Sequence, residues 1–278
     1  IAKITCEGTL VNLNFINDAG FNIVSKDGYL FVNSSSDNRI RRYALCDGSA
    51  QGYVTLNGST QLDWGLFISP NGTFYATTGL DPAFASATGT KAIYRFTPTD
   101  ADFVNHTSYS PLVSANDVPP GVAAANLPIQ SAWLWGITAD DAGNMYVIAE
   151  DPWFNHQGTT WTGFTWILKY DPNGNLVAWT KDEQTTTPVS GFKGGRGILY
   201  YPAKDVLYIA AGQYGDCVAM IKPSDLSYMG AAAGNVPNQN PKTLRIASEA
   251  CPVNASTKVD TTLCNVKVGD RIFLSQIV

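Results

Sequence analysis

The stretch GITADDAGNMYV, residues 136–147, contains the pattern that decides the fold. An apolar segment leads into an Asp/Gly/Asn turn, and a second apolar segment follows with an aromatic residue, Tyr146. Because Asn, Asp and Gly tolerate the backbone angles of a tight hairpin, this stretch predicts two antiparallel strands joined by a short turn. The same unit recurs in FNIVSKDGYLFV (21–32), GLFISPNGTFYA (65–76) and GILYYPAKDVLYI (197–209), with the aromatics Phe31, Tyr75 and Tyr208 in register.

Each hairpin is followed by two more predicted strands, so that the repeated unit has four strands, A to D. The copies of the third strand end in a turn: IRRYALCDG (40–48), AIYRFTPTD (92–100), ILKYDPNG (167–174) and VAMIKPSD (218–225). The copies of the fourth strand are GYVTL (52–56), DFVNHTSY (102–109), NLVAWT (175–180) and LSYMGAA (226–232).

The two ends of the chain contain the halves of one further unit. IAKITCEG (1–8) matches the third-strand pattern and TLVNLNFI (9–16) the fourth, whereas TLRIASEA (243–250) and DRIFLSQIV (270–278) match the first and second. Together the ends predict a fifth unit. The stretch 97–134 is long enough for a sixth, although it shows no aromatic second strand.

This repeat resembles a β-propeller, and within propellers the NHL, YWTD and SMP-30-like (gluconolactonase-like) group. The resemblance is carried by the PNG, DAGN and DPNGN turns, the aromatic strand after them, and Trp-Gly (64–65, 135–136) or Arg-Gly (196–197) before an inner strand. It implies one all-β domain, 1–278, of five four-stranded blades, closed by N- and C-terminal strands that share one blade. An unrepeated β-sandwich or jelly roll is the alternative. The predicted blades are 17–60, 61–116, 130–182 and 192–233, with a closing blade built from 1–16 and 242–278.

The composition favours a folded, extracellular protein. Charged residues make up 15% of the 278 residues, hydrophobic residues 45%, and the net charge is −5. No basic cluster exceeds Arg39, Arg41 and Arg42, so we expect no nucleic-acid partner. No apolar run reaches the roughly 18 residues of a membrane span. Because the chain starts at Ile1 without Met, either a leader was removed or the sequence is a fragment, and we expect a removed secretory signal and a secreted protein.

The cysteines and sequons agree with an oxidising compartment. Five cysteines lack CxxC spacing, which argues against zinc. A Cys251–Cys264 bridge is the simplest disulfide, although Cys6 could instead staple the chain ends, and Cys46 is a further candidate. Cys217 is expected to be the odd thiol. Sequons for N-glycosylation occur at Asn33, Asn57, Asn71, Asn105 and Asn254.

One face of the predicted propeller contains most of the long loops, and function usually lies on such loops. The aromatic loop 150–166 includes Trp153 and Trp161, which could stack on sugars or fill a partner's pocket. That loop could equally pack on itself. At inner-strand starts, five residues could ring the channel mouth as an anion or sugar site, or simply line the channel: Asp63, Trp64, Trp135, Arg196 and Arg245.

The sequence does not contain a recognisable catalytic set. Only His106 and His156 are available as histidines, and no GxSxG, HExxH or phosphate-loop motif is present. The SMP-30-like resemblance implies a divalent metal held by Glu, Asn and Asp, and here Asn22, Asp63 and Glu150 are the conceivable ligands. Arg196 would repel such a cation. We therefore expect no cofactor, and Ca²⁺ only under the alternative of an SMP-30- or strictosidine-synthase-like hydrolase.

The leading hypothesis is a secreted, non-enzymatic structural protein that assembles with copies of itself. Residues 1–16 of one subunit would complete the 243–278 half-blade of the next, and such head-to-tail contacts generate filaments when the rotation does not close. The rival hypothesis is a ligand- or carbohydrate-binding module. The expected partners are accordingly copies of the chain, or another extracellular protein or glycan.

Overall fold

A computed structural model of the chain gives the fold. The residues that it describes are 1–4, 10–18, 20–34, 37–58, 65–78, 92–114, 133–150, 165–182, 195–211 and 217–233. The predicted strands in 242–278 lie outside this part of the chain.

Four antiparallel sheets follow one another along the chain, after a two-stranded sheet of β1 (Lys3–Ile4) and β2 (Leu10–Asn12). In each of the four, the strands pair in sequence order, as the repeat predicts. Blade 1 contains β3 (Gly20–Lys26), β4 (Tyr29–Ser34), β5 (Arg39–Ala44) and β6 (Ala50–Leu56), and blade 2 contains β7 (Leu66–Ile68), β8 (Phe74–Thr78), β9 (Ala92–Phe96) and, after β10 (Ser108–Tyr109), β11 (Val113–Ser114). Blade 3 contains β12 (Trp133–Ala139), β13 (Met145–Glu150), β14 (Thr165–Tyr170) and β15 (Leu176–Asp182), and blade 4 contains β16 (Gly195–Tyr201), a 3-10 turn (Pro202–Lys204), β17 (Val206–Ala211), β18 (Cys217–Ile221) and β19 (Tyr228–Ala233).

Apolar clusters fill the joints between consecutive blades. Phe31 of blade 1 packs with Phe74 of blade 2, Tyr75 of blade 2 lies in the cluster of blade 3, and Tyr146 of blade 3 lies in the cluster of blade 4. The aromatics that align in the sequence therefore point towards the following blade. Four-stranded antiparallel sheets stacked face to face, with their first strands side by side, form a β-propeller, which confirms the predicted fold class.

The segment 102–109 differs from its prediction as the fourth strand of blade 2. Asp100–Val104 is a short helix, α1, and Ser108–Tyr109 joins blade 1 as a strand parallel to β6. Thr99 precedes the helix as its N-cap, and its backbone N–H donates to the Asp102 carboxylate at 2.7 Å, a capping interaction that favours helix over strand. Val113–Ser114 takes the fourth-strand position beside β9 instead.

The N-terminal sheet forms half of a blade against blade 1. Phe15 and Ile16 are buried among Leu30, Val32 and Tyr43 of blade 1. β1 and β2 pair with each other as predicted for strands C and D. We call residues 1–16 the N-terminal half-blade. Among the helices that the structure describes, none is long and apolar enough to span a membrane.

Candidate functional site

The inner strands β3, β7, β12 and β16 lie side by side, and the Trp-Gly and Arg-Gly dipeptides mark where they approach each other. A Cβ atom on Gly65 would stand 2.5 Å from the Trp135 carbonyl oxygen, and one on Gly136 would stand 2.6 Å from the Arg196 carbonyl oxygen. No side chain fits there, so glycine is required by the close packing of neighbouring blades. The Thr77 hydroxyl also donates to the Trp135 carbonyl, at 2.7 Å, and links blade 2 to blade 3.

Trp135 and Arg196 are brought together at these strand starts. The Arg196 guanidinium lies over the Trp135 ring, 4.3 Å from its centroid. Trp135 is only 6% exposed and packs in the core between blades 3 and 4. The indole therefore supports the guanidinium as a rigid platform and is not open to a sugar ring, whereas Arg196 remains half-buried.

Asn22, the conceivable metal ligand on blade 1, is already engaged. Its side-chain amide donates to the Leu66 carbonyl of blade 2 at 3.5 Å, and its backbone N–H donates to the Asn33 side chain at 2.5 Å. In the part of the chain that the structure describes, no three His, Cys, Asp or Glu side chains form a metal-binding group. Asn22 thus ties two inner strands together.

The remaining predicted site residues divide into two groups. Asp63, Trp64, Trp153, Trp161, Arg245, Cys251, Cys264 and Asn254 lie outside the described residues. Among the sequons, Asn33 is 1% exposed, and that folded position leaves no room for a glycan. Asn57, Asn71 and Asn105 are exposed, and Cys46 is a half-buried free thiol in the turn after β5.

The N-terminal half-blade is fixed to its own blade 1 by a hydrogen bond and by apolar packing. Lys3 Nζ donates to the Cys46 carbonyl of blade 1 at 3.4 Å, and Phe15 and Ile16 are buried against blade 1. Within the half-blade itself, the Ile1 ammonium group donates to the Ile16 carbonyl at 2.8 Å. The outer strand of the half-blade, β2, is in contrast exposed to solvent. The apolar side chains of β2 and of the residue after it are more than half exposed, at 54% for Leu10, 57% for Val11 and 56% for Leu13. Exposed apolar strands at a sheet edge are sites of strand pairing and self-association.

A set of basic residues, which the sequence reasoning missed, bridges each blade to the next. Arg95 Nη1 donates to the Pro172 carbonyl at 2.8 Å, and Lys169 Nζ donates to the Pro223 carbonyl at 2.9 Å. Arg42 pairs with Asp100 in the segment after β9, and Lys3 makes the equivalent contact from the half-blade. Each starts on a third strand and reaches the segment after the third strand of the following blade. We call Lys3, Arg42, Arg95 and Lys169 the joint cations.

The signal for three of these cations was present in the aligned repeats. Arg42 stands directly opposite Phe31, Arg95 opposite Tyr75 and Lys169 opposite Tyr146 in the strand register. A basic residue on the third strand therefore accompanies each aligned aromatic of the second strand. This coincidence becomes visible only once the pairing register between the strands is known.

The chain matches no protein-family model and no curated protein. It is similar to a solved structure of a protein of unknown function from Bacteroides caccae (13% identity, TM-score 0.45, 81% of this chain and 65% of that one). It is also similar to a nidogen/laminin complex (14%, 0.48, 81% and 67%) and to a luciferin-regenerating enzyme (13%, 0.43, 83% and 63%). The chain spans less than two thirds of the first and third of these proteins. Similarity at this level carries no information on function, and the fold rests on the strand pairing.

Proposed function

We propose that this β-propeller is a secreted, non-enzymatic structural protein whose copies assemble head to tail by exchanging terminal strands. The observation that carries the proposal is the N-terminal half-blade. In each of the four blades the four antiparallel strands follow one another in one stretch of chain, with β10 added at the edge of blade 1, whereas β1 and β2 form a sheet of two among the described residues. In this proposal, strands A and B of that blade are formed by residues 242–278, either of the same chain or of another copy. In the second case the contact is heterologous and propagates.

The tight packing of the N-terminal half-blade on blade 1 determines which part of the closing blade separates. Phe15 and Ile16 are 7% and 2% exposed, and burial of two such side chains stabilises a joint by about 3–6 kcal/mol. The half-blade therefore stays with its own blade 1 when the closing blade separates. The edge of β1 that does not pair with β2 is then the edge offered to strand B, and strand addition at such an edge is a general mode of protein association.

A second candidate function is a binding module for anionic groups at the channel mouth. It is favoured by the stacking of half-buried Arg196 on the rigid Trp135 ring, since a pre-organised guanidinium suits a carboxylate or a charged sugar. The hydrolase alternative gains no such support, because the Asn22 amide is engaged with the Leu66 carbonyl.

Light scattering and negative-stain electron microscopy of the purified chain test the assembly proposal. We expect filaments or higher oligomers from the intact chain, and none from a variant that lacks residues 1–16. A peptide of residues 1–16 added to that variant should bind and restore a closed blade, whereas a scrambled peptide of the same composition should not. A monodisperse monomer of the intact chain at every accessible concentration would refute the proposal and direct attention to Arg196.

A further inference from the structure

Blade 4 differs from the preceding blades at the position of the joint cation. Its strand register puts Met220 opposite Tyr208, where blade 3 has Lys169 opposite Tyr146. A thioether has no proton to donate to a backbone carbonyl, so Met220 cannot make the contact that the ammonium group of Lys169 makes. The third strand of blade 4 thus lacks the donor found in the half-blade and in blades 1 to 3.

The direction in which Met220 points follows from the same register. Directly opposed residues of neighbouring strands share one face of a sheet, and Lys169 faces the following blade because it binds the Pro223 carbonyl. Leu199, Tyr208 and Met220 are opposed across blade 4 in the same way, and we call them the outer face of blade 4.

The outer face is only partly covered. Its three members are half-buried, whereas Ile198, Leu207 and Ile209 on the opposite face are buried against blade 3. Partly exposed apolar faces of this kind are typical of surfaces that pack against a partner.

We propose that the outer face of blade 4 is an interface for the N-terminal half-blade of a second copy, and that this joint is the one that opens and re-forms during assembly. The inference rests on the proposed function and identifies its contact surface. The half-blade is tied to its own blade 1 by Lys3 and by the burial of Phe15 and Ile16. The chain after β19 still contains residues 234–278, with the predicted strands A and B, which are covalently continuous with blade 4.

By the order of the sheets, the joint between the half-blade and blade 4 is the one that would close the ring, and among the third strands that the structure describes only that of blade 4 carries no joint cation.

The rate at which assemblies of the intact chain lose subunits after dilution tests this interface. We expect Met220→Lys to release subunits about tenfold more slowly, because a charged donor to a carbonyl contributes on that order. Met220→Arg is the second variant. Met220→Leu, which keeps the apolar shape, should leave the rate unchanged. Lys169→Met, at a joint inside the continuous chain, should lower the unfolding midpoint but leave the release rate unchanged.

A photoreactive methionine analogue at Met220 gives a readout that does not depend on rates. In assemblies mixed from two differently tagged copies, cross-links from position 220 of one copy to residues 1–16 of the other support the interface. Assemblies in which Met220→Lys and Met220→Arg both release subunits at the wild-type rate, or in which position 220 cross-links only within its own chain, overturn it and leave the proposed function standing. An intact chain that never assembles overturns both.

Discussion

Arg42 offers a sharp test of the joint between blades 1 and 2, because its ion pair is strongly asymmetric. The Arg42 side chain is 6% exposed, whereas that of its partner Asp100 is 82% exposed. The guanidinium lies 4.5 Å from the ring centroids of both Tyr29 and Phe103, and it also donates to the Gln51 carbonyl at 3.3 Å. Removal of the exposed acid leaves a buried positive charge, whereas removal of the arginine leaves an exposed acid in water.

We therefore expect Asp100→Ala to destabilise the protein more than Arg42→Met. The loss of a charge-assisted hydrogen bond to a buried group costs about 1.5–3 kcal/mol. In Arg42→Met an apolar chain takes the place of the guanidinium between the two rings, and we expect a cost below about 1.5 kcal/mol. For a chain of this length, 1 kcal/mol corresponds to a shift of about 2 °C in the unfolding midpoint.

The double variant separates the ion pair from the role of Asp100 in the first turn of α1. An acid at a helix N-terminus contributes about 0.3–1 kcal/mol by itself, and this contribution should persist in the Arg42→Met background. In that background Asp100→Ala should therefore cost no more than about 1 kcal/mol, which gives a coupling energy of at least about 0.5–2 kcal/mol. Denaturant unfolding of the four proteins measures it. Additive effects, with Arg42→Met the more harmful change, would show that the buried charge does not depend on Asp100.

Two further predictions concern the cap of α1 and the inner strands. Hydrogen bonds from the Thr99 backbone N–H and hydroxyl lower the pKa of Asp102 to about 2, so its stabilising contribution is present above the ordinary pKa of 3.8 and is lost as the pH falls towards 2. Asp102→Ala should flatten the acid limb of a plot of unfolding midpoint against pH in that window, and an unchanged limb would contradict the capping role. Gly136→Ala places a methyl group 2.6 Å from the Arg196 carbonyl oxygen and should destabilise by about 1–3 kcal/mol in thermal unfolding. An unchanged unfolding midpoint in Gly136→Ala would mean that β12 and β16 can move apart without loss of stability.

The sequence predicts most of the fold because its turns are local. Hairpins such as β12–β13 depend on Asp, Gly and Asn within a few residues, and these residues form the expected bonds: Asp140 accepts from both the backbone and the side chain of Asn144. The same reasoning failed at 102–109, where the apolar residues Phe103 and Val104 resemble a strand. There the Thr99–Asp102 cap decides for a helix.

The candidate site is less predictable, since it depends on contacts between blades. Trp135 was expected at the channel mouth, because Trp-Gly precedes an inner strand in two repeats, yet its ring is buried between blades 3 and 4. The joint cations escaped notice for a related reason: an arginine or lysine in an amphipathic strand is usually solvated, and only the register reveals that it faces the next blade. Residue type alone does not distinguish a solvated basic side chain from one that contacts the next blade.

The joint after blade 4 is also distinguished by how the chain connects. Blades 1 to 4 are joined by continuous chain, and residues 17–19 lead directly from the half-blade into β3, so that a separated neighbour in any of these joints stays within reach. The half-blade and the outer face of blade 4 have no such short connection. Closure within one chain and closure between chains use the same contacts there, so a substitution at Met220 changes how fast the joint opens and not the ratio of the two closures. That ratio depends on the protein concentration relative to the effective concentration inside one ring, which is of millimolar order for short flexible connections. Under the proposed exchange, raising the protein concentration therefore shifts closed rings towards assemblies, while Met220→Lys only slows the approach to the same final distribution.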